Sequence, residues 1–229
     1  MAIESGRCIE SSTNLELPCY AAGVATTGLR ELKKARTRRL IAETAARLFA
    51  ERGYERVAVS DVAREAEVAE QTVYNYFPTK DKLVTDREQQ IQDRLCDLIR
   101  SRPPALTPAA AIRDFVLDET LAGIPAIPPE IWRGELGHLA AISPTVHRLM
   151  LELTDRQATA LAAAIGDTTA VTPEVARLQG IALAAVFRII IGDAGRRTVE
   201  GQSQTEIARE LRPMVENVLD ELDRWLSLS

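Results

Sequence analysis

Between Arg38 and Lys82 the sequence reads RRLIAETAARLFAERGYERVAVSDVAREAEVAEQTVYNYFPTKDK, and it leaves little choice of local structure. Ile41, Ala45, Leu48 and Phe49 fall at i, i+4, i+7 and i+8, one apolar stripe of a helix that begins near Leu29 behind a Thr27 cap and ends at Gly53. Ser60 to Ala66 forms a second, short helix with Val59, Val62, Ala63 and Ala66 facing inward, and Glu67-Val68 makes the turn. Glu70 to Tyr76 forms a third, whose Val73 joins Phe77 to complete a small core. Pro78 stops it, because proline lacks a backbone donor and disfavours helix in the residue before it. Two short helices joined by a tight turn have the proportions of a helix-turn-helix, whose second helix fits a DNA major groove.

Beyond Pro78, prolines punctuate further helices. Thr79 caps one of roughly twenty residues that ends before Pro103-Pro104. Ala109 to Ala122, Glu130 to Ile142, Thr145 to Ile165, Glu174 to Val199 and Gln204 to Leu226 follow, with a kink or late start expected at Pro213. Strand-like alternation is absent, so the fold class is all-α. Three parts are expected: a disordered extension over residues 1–28, a helix-turn-helix domain over 29–78 and a helical body over 79–229. Val24 offers an alternative start, so residues 1–28 need not belong to the native chain.

The chain is 46% hydrophobic and 27% charged, which suits a packed core and excludes disorder of the whole. No apolar run approaches the roughly 18 residues needed to cross a bilayer, and no basic lead-in marks a signal peptide, so a cytoplasmic protein without a membrane partner is expected. Cys8, Cys19 and Cys96 leave one thiol unpaired in any pairing and lack metal-ligand spacing, the usage of a reducing compartment. The net charge of −5 argues against polyanions, but its distribution does not: RELKKARTRR, residues 30–39, carries six basic side chains against one acidic.

The polar positions between Glu70 and Lys80 are Glu70, Gln71, Thr72, Tyr74, Asn75, Tyr76 and Lys80, all hydrogen-bonding groups. A solvated helix carries such residues too, so spacing alone does not decide. The particular residues do more. Leu48-Phe49, Gly53-Tyr54, Asp61-Val62-Ala63, Ala66 with Val68, Thr72-Val73-Tyr74, Tyr76-Phe77, Lys80 and Leu83 closely resemble the DNA-binding domain of the tetracycline-repressor (TetR) family of transcription regulators. The resemblance spans some fifty residues; the remainder is similar only in length and helical character. It implies a three-helix DNA-binding domain joined by a fourth helix to a helical domain that binds ligand and dimerises.

By that resemblance Tyr74, Tyr76 and Lys80 hold phosphates, while Gln71, Thr72 and Asn75 read or line the groove, and Ser60 and Glu70 lie at the same surface. The chemistry agrees: Gln and Asn pair with adenine N6/N7, a Thr methyl suits thymine, and Tyr hydroxyls and Lys suit phosphate. Lys33, Lys34, Arg36 and Arg38 would support from an N-terminal arm, although a solvated helix face explains them equally well. Three positions depart from the family pattern. Glu67 stands where the turn usually has glycine, and Ala69 and Ala58 stand where hydroxyl caps are usual.

In the body, Phe115, Trp132, His138, His147, Met150, Phe187 and Arg188 are candidate ligand-lining residues, each of which plain core packing also explains. Arg188 would meet an acidic ligand or an internal carboxylate such as Glu135. No metal and no cofactor are expected: Ser143-Pro144 separates His138 from His147, and no phosphate loop or nucleophile motif is present. Leu211, Val215, Val218, Leu222 and Trp225 form a stripe suited to a partner helix, and Gly180 and Ala184 permit close approach, which resembles the family's dimer bundle. The resulting expectation is no enzyme but a homodimeric, ligand-responsive repressor of palindromic double-stranded DNA, its small-molecule effector unidentified. The alternative is an all-α small-molecule-binding protein or enzyme with decayed DNA binding.

Overall fold

The computed structural model describes residues 28–227, and every regular element among them is helical. α1 spans Leu29–Arg52, α2 Val59–Glu65, α3 Glu70–Tyr76 and α4 Lys82–Ser101. α5 is Pro108–Asp114, α6 Pro129–Trp132, α7 Leu136–Ile142, α8 Pro144–Gly166, α9 Pro173–Val199 and α10 Gln204–Leu226. The extension expected over residues 1–28 lies, Gly28 apart, outside the described residues, as do Cys8 and Cys19; Cys96 is a buried free thiol. Residues 37–229 form one compact unit, and the turns of α1 up to Arg36 belong to a separate one.

Three helices start one residue earlier than the proline pattern indicated, for a single reason. Thr107, Ser143 and Thr172 each precede a proline, and each hydroxyl accepts from the backbone N–H three residues on, at 3.1, 3.2 and 3.4 Å. The prolines are first-turn residues, where a missing N–H costs nothing, and not breaks. α10 begins with a complete capping box, in which the Ser203 hydroxyl accepts from Glu206 N–H and Glu206 accepts from Ser203 N–H at 2.9 Å. It runs on through Pro213 without the late start expected there.

Two expected helices are interrupted. After α5 the chain widens into a π-helix over Phe115–Leu121, where the Thr120 hydroxyl bonds the Phe115 carbonyl at 3.0 Å, and then takes one tight turn at Ile124–Ala126. The helix expected over 130–142 is split into α6 and α7 around Gly134. A Cβ at Gly134 would sit 1.9 Å from the Ala46 carbonyl oxygen, so this turn presses backbone to backbone on α1.

Two apolar cores result. The larger gathers Leu95, Ile99, Ile112, Leu161, Leu183 and Leu211 from α4, α5 and α8 to α10. The other joins Ile41, Phe49, Val62, Val73 and Phe77 to Leu136, Leu139, Val146 and Met150, which seats the helix-turn-helix on α7 and α8. α9 packs against α7, α8 and α10. Its 27 residues include an 18-residue window of mean hydropathy 1.7, long and apolar enough by composition alone to cross a membrane, with 44% of that window buried inside the protein. Helices cross it closely at small residues: Gly180 lies against Ala158 and Ala162, and Gly195 against Gly137.

Candidate nucleic-acid interface

The turn between α2 and α3 is a Schellman motif. Val68 N–H donates to the Ala63 carbonyl at 3.0 Å and Glu67 N–H to the Arg64 carbonyl at 3.2 Å. The motif puts its central residue in the left-handed region, and Glu67 is there at φ 54°. A side chain in that conformation costs on the order of 1 kcal/mol.

Neither helix has a hydroxyl cap. Ala58 has no side-chain acceptor, so only half of a capping box forms, in which the Asp61 carboxylate accepts from Ala58 N–H at 2.9 Å. That bond, then Arg64 at 2.6 Å, holds the Asp61 carboxyl below its usual range. At α3, Ala69 makes no side-chain cap either.

Val73 buries the inner side of α3, and Phe77 follows it into the core. The outer side exposes Glu70, Gln71, Tyr74 and Asn75, with Thr72 and Tyr76 half-buried at its margins. The Gln71 side-chain amide donates to Asn75 Oδ1 at 3.2 Å, so the two amides stand together one turn apart. Ser60 is exposed at the start of α2. Lys80 follows α3 half-buried, its ammonium 4.2 Å from the centre of the Tyr54 ring. Burial pulls the Lys80 ammonium below its ordinary range, opposed by Glu55 and Asp81. Tyr54 donates its hydroxyl to Asp81, and burial, then that bond, pushes the phenol up.

Arg38 is not an arm residue. Its Nε donates to Asp86 Oδ2 at 3.0 Å, a second nitrogen to Asp86 Oδ1, and the third to the Tyr76 carbonyl at 3.2 Å. The guanidinium also lies 4.8 Å from the centre of the Phe77 ring. With each of its three nitrogens donating to Asp86 or Tyr76, the half-exposed guanidinium is a clamp between α1, the end of α3 and α4. Lys33, Lys34 and Arg36 are solvent-exposed on the first turns of α1.

The body holds two adjoining cavities that share Glu88, Ile91, Leu136, Phe187 and Ile191. The larger, about 70 Å³, is further walled by Trp132, Glu135, Ile124 and Ile190; the smaller, about 30 Å³, by Met150, Arg156 and Arg188. Of the expected lining residues Trp132, Met150, Phe187 and Arg188 are thus brought together. Phe115 is buried in the body's core, His138 is half-buried outside both cavities, and His147 is exposed on α8. Burial lowers His138, with Arg133 adding to the effect. Arg188 does not pair with Glu135; Arg87 does, at 3.7 Å. The sequence reading missed Glu88, whose signal was available: Val84, Glu88, Ile91, Leu95 and Ile99 repeat at four- and three-residue spacing along α4. Among the described residues no group of three or more His, Cys, Asp or Glu side chains is arranged to hold a metal ion.

Of the residues expected at a dimer contact, Gly180, Ala184, Leu211 and Val215 are buried in the chain's own core, because α9 and α10 turn these faces to α8 and α5. They are corrected to core. Val218, Leu222 and Trp225 are half-buried against the same core. Exposed apolar side chains also occur singly at Leu40, Leu106, Ile142 and Leu151, and on α9 Leu178, Ile181 and Ile189 are 54, 47 and 37% exposed.

Residues 41–86 match the profile of bacterial regulatory proteins of the tetR family. Over 46 residues the chain is 41% identical to YuxN of Bacillus subtilis (strain 168), an uncharacterized HTH-type transcriptional regulator, a match covering 20% of this chain and 16% of YuxN. Over 129 residues it is 26% identical to TcmR of Streptomyces glaucescens, an HTH-type transcriptional regulator, covering 56% of this chain and 52% of TcmR. The chain therefore spans about half the length of one of these relatives and far less of the other. Among solved structures, NalD, the secondary repressor of the MexAB-OprM multidrug efflux pump in Pseudomonas aeruginosa, superimposes with a TM-score of 0.52 at 18% identity, over 83% of this chain and 96% of NalD. That similarity shows a shared fold.

Proposed function

We propose that residues 41–86, which match the profile of bacterial regulatory proteins of the tetR family, form a DNA-binding domain, and that the chain is a homodimeric transcription repressor, released from a palindromic operator by a small-molecule effector. The observation that carries the reading is the outer face of α3, where Gln71, Tyr74 and Asn75 stand exposed on a helix fixed from below by Val73 and Phe77. A helix so presented fits the major groove, its amides suiting adenine edges and Tyr74 a phosphate oxygen. Tyr76 and Lys80 flank it as further phosphate contacts, and Lys33, Lys34 and Arg36 supply basic charge on α1.

Two copies are needed to read a palindrome, and the α9 stripe of Leu178, Ile181 and Ile189 supports the pairing. Grouped apolar side chains of this exposure mark an interaction surface more often than bare solvent contact. An effector acts only through different affinities for the DNA-binding and released forms. The body's cavities are where it would act.

Selection of duplexes from a random pool by the full chain tests the reading. It predicts a two-fold symmetric consensus whose half-sites lie about one helical turn apart, and no enrichment by Tyr74→Ala. A second reading, a small-molecule-binding protein with decayed DNA binding, draws support from uncapped α2 and α3 and from the left-handed Glu67. An unenriched pool with a folded protein would favour it.

A further inference from the structure

Four of the five residues along the inner stripe of α4 are apolar; the fifth, Glu88, carries a carboxyl into the interior of the body. Its Oε2 has no solvent contact and no hydrogen-bond partner, and Glu88 makes no ion pair among the described residues. The charges around it are otherwise engaged or outside. Arg87 pairs with the half-buried Glu135, and Asp86 with Arg38. Arg156 on α8 and Arg188 on α9 line the smaller cavity but not the larger, and are solvent-exposed. The larger cavity is therefore bounded by two carboxyls and one guanidinium, inside apolar walls that include Trp132 and Phe187.

Glu88 is half-buried as a residue, but its Oε2, shut off from water and without a hydrogen-bond partner, makes the ionised carboxyl costly. A neutral occupant would leave that cost in place, and an anion would add repulsion from Glu135. A cation with an apolar body removes it: the charge meets Glu88 and the body meets the walls, where aromatic rings also attract cations. At about 70 Å³ the cavity has room for roughly five waters, the scale of a small organic molecule. We propose that this cavity is a binding site for a small monovalent organic cation, with Glu88 as its counter-ion.

The site deepens the regulatory reading and rests on it for its consequence. Glu88 lies two residues from Asp86, whose carboxylate holds Arg38 and, through it, the carbonyl that ends α3. An occupant that draws on α4 at Glu88 therefore acts on the helix that anchors the clamp behind α3.

Proton exchange marks the site. Burial pushes the Glu88 carboxyl up to about 8, with the Glu135 charge adding and Arg87 opposing. The empty site thus holds its proton at neutral pH, and a permanent cation must displace it.

Calorimetric titration of the full chain with tetramethylammonium, acetate and tert-butanol, each of four or five heavy atoms and so on the scale of the cavity, tests the proposal. The cation should bind at least about ten-fold tighter than either other probe, gain about ten-fold or more between pH 6.5 and 8.5, and release close to one proton. Glu88→Gln, shown folded by its melting curve, should lose both the preference and the proton release. Equal or absent binding of the three probes by the unaltered chain, pH-independent affinity, or unchanged cation binding by Glu88→Gln would overturn it. DNA retention is measured separately. A chain that selects DNA but binds no cation removes the site alone, and one that binds the cation but selects no DNA removes the regulatory reading alone.

Discussion

Arg38 on α1 holds Asp86 on α4 through two nitrogens, and with its third it holds the Tyr76 carbonyl where α3 ends. One side chain thus fixes α1, the last turn of α3 and α4, the helix that leads into the body. The Ser143 hydroxyl, which caps α8, bonds Glu55 beside the helix-turn-helix, and Gly134 lies directly on α1. The helix-turn-helix is therefore tied to the body at three separate points.

Arg38→Ala should lower DNA affinity without reducing the slope of log affinity against log salt, because the guanidinium is spent on Asp86. Loss of a phosphate contact would reduce that slope by about one. A double-mutant cycle with Asp86→Ala should give a stability coupling of about 1 kcal/mol, since the side chains are 38 and 21% exposed and partly screened. Additive effects would show that the pair is incidental.

Glu67→Gly should raise stability by about 0.5–1 kcal/mol and the melting temperature by roughly 2–4 °C. It relieves the left-handed side chain at φ 54° while keeping the turn's hydrogen bonds. Differential scanning calorimetry checks it, and a lower melting temperature would mean that Glu67 makes a compensating contact.

Gly134→Ala should destabilise by about 3 kcal/mol or prevent folding, since the added carbon falls 1.9 Å from the backbone oxygen of Ala46. Urea unfolding reads this directly. Gly123→Ala, with nothing near its added carbon, is the matched control.

Ile181→Asp on the open α9 stripe should give a folded monomer with weakened operator binding, seen by sedimentation velocity. Ala184→Asp, one turn away but buried, should instead unfold the chain. A dimer unchanged by Ile181→Asp would place the contact elsewhere.

Stability should fall as pH rises between about 4.5 and 8. Glu88 keeps its proton in the folded state up to about 8 but loses it near 4.5 when unfolded. In that window the folded chain binds more protons, so unfolding becomes easier with each step up in pH. Glu135, raised by burial against the pull of Arg87, acts in the same direction. Glu88→Gln should flatten the fall and be more stable than the unaltered chain above pH 8, as melting curves across pH will show.

The helix-turn-helix was legible almost to the residue because its signals are local: Pro78 stops α3, and Val62, Val73 and Phe77 recur at helical spacing. The family resemblance rested on the same residues. Partners distant along the chain were not legible. Arg38 lies in a basic run and reads as a solvated arm residue, and nothing local says that Asp86, 48 residues on, takes its donors. The split at Gly134 was hidden because a glycine in a helical pattern does not announce whose backbone it meets. α9 is apolar nearly all round, so its sequence gave no sign of which side faces α8 and which stays open at Ile181. Glu88 was not legible as an inward group because a charge on a long helix is usually solvated, although it shares the inner stripe of Val84, Ile91, Leu95 and Ile99.

The claim on which the rest depends is that α3 reads DNA through Gln71 and Asn75 and holds it through Tyr74. The direct measurement is affinity for a selected duplex and its single-base variants, titrated with salt, for the unaltered chain, Gln71→Ala and Tyr74→Phe. The account predicts that Gln71→Ala relaxes discrimination at one position per half-site, by about 1–3 kcal/mol, while Tyr74→Phe weakens all duplexes alike. Uniform losses for Gln71→Ala, or full affinity in both variants, would contradict it.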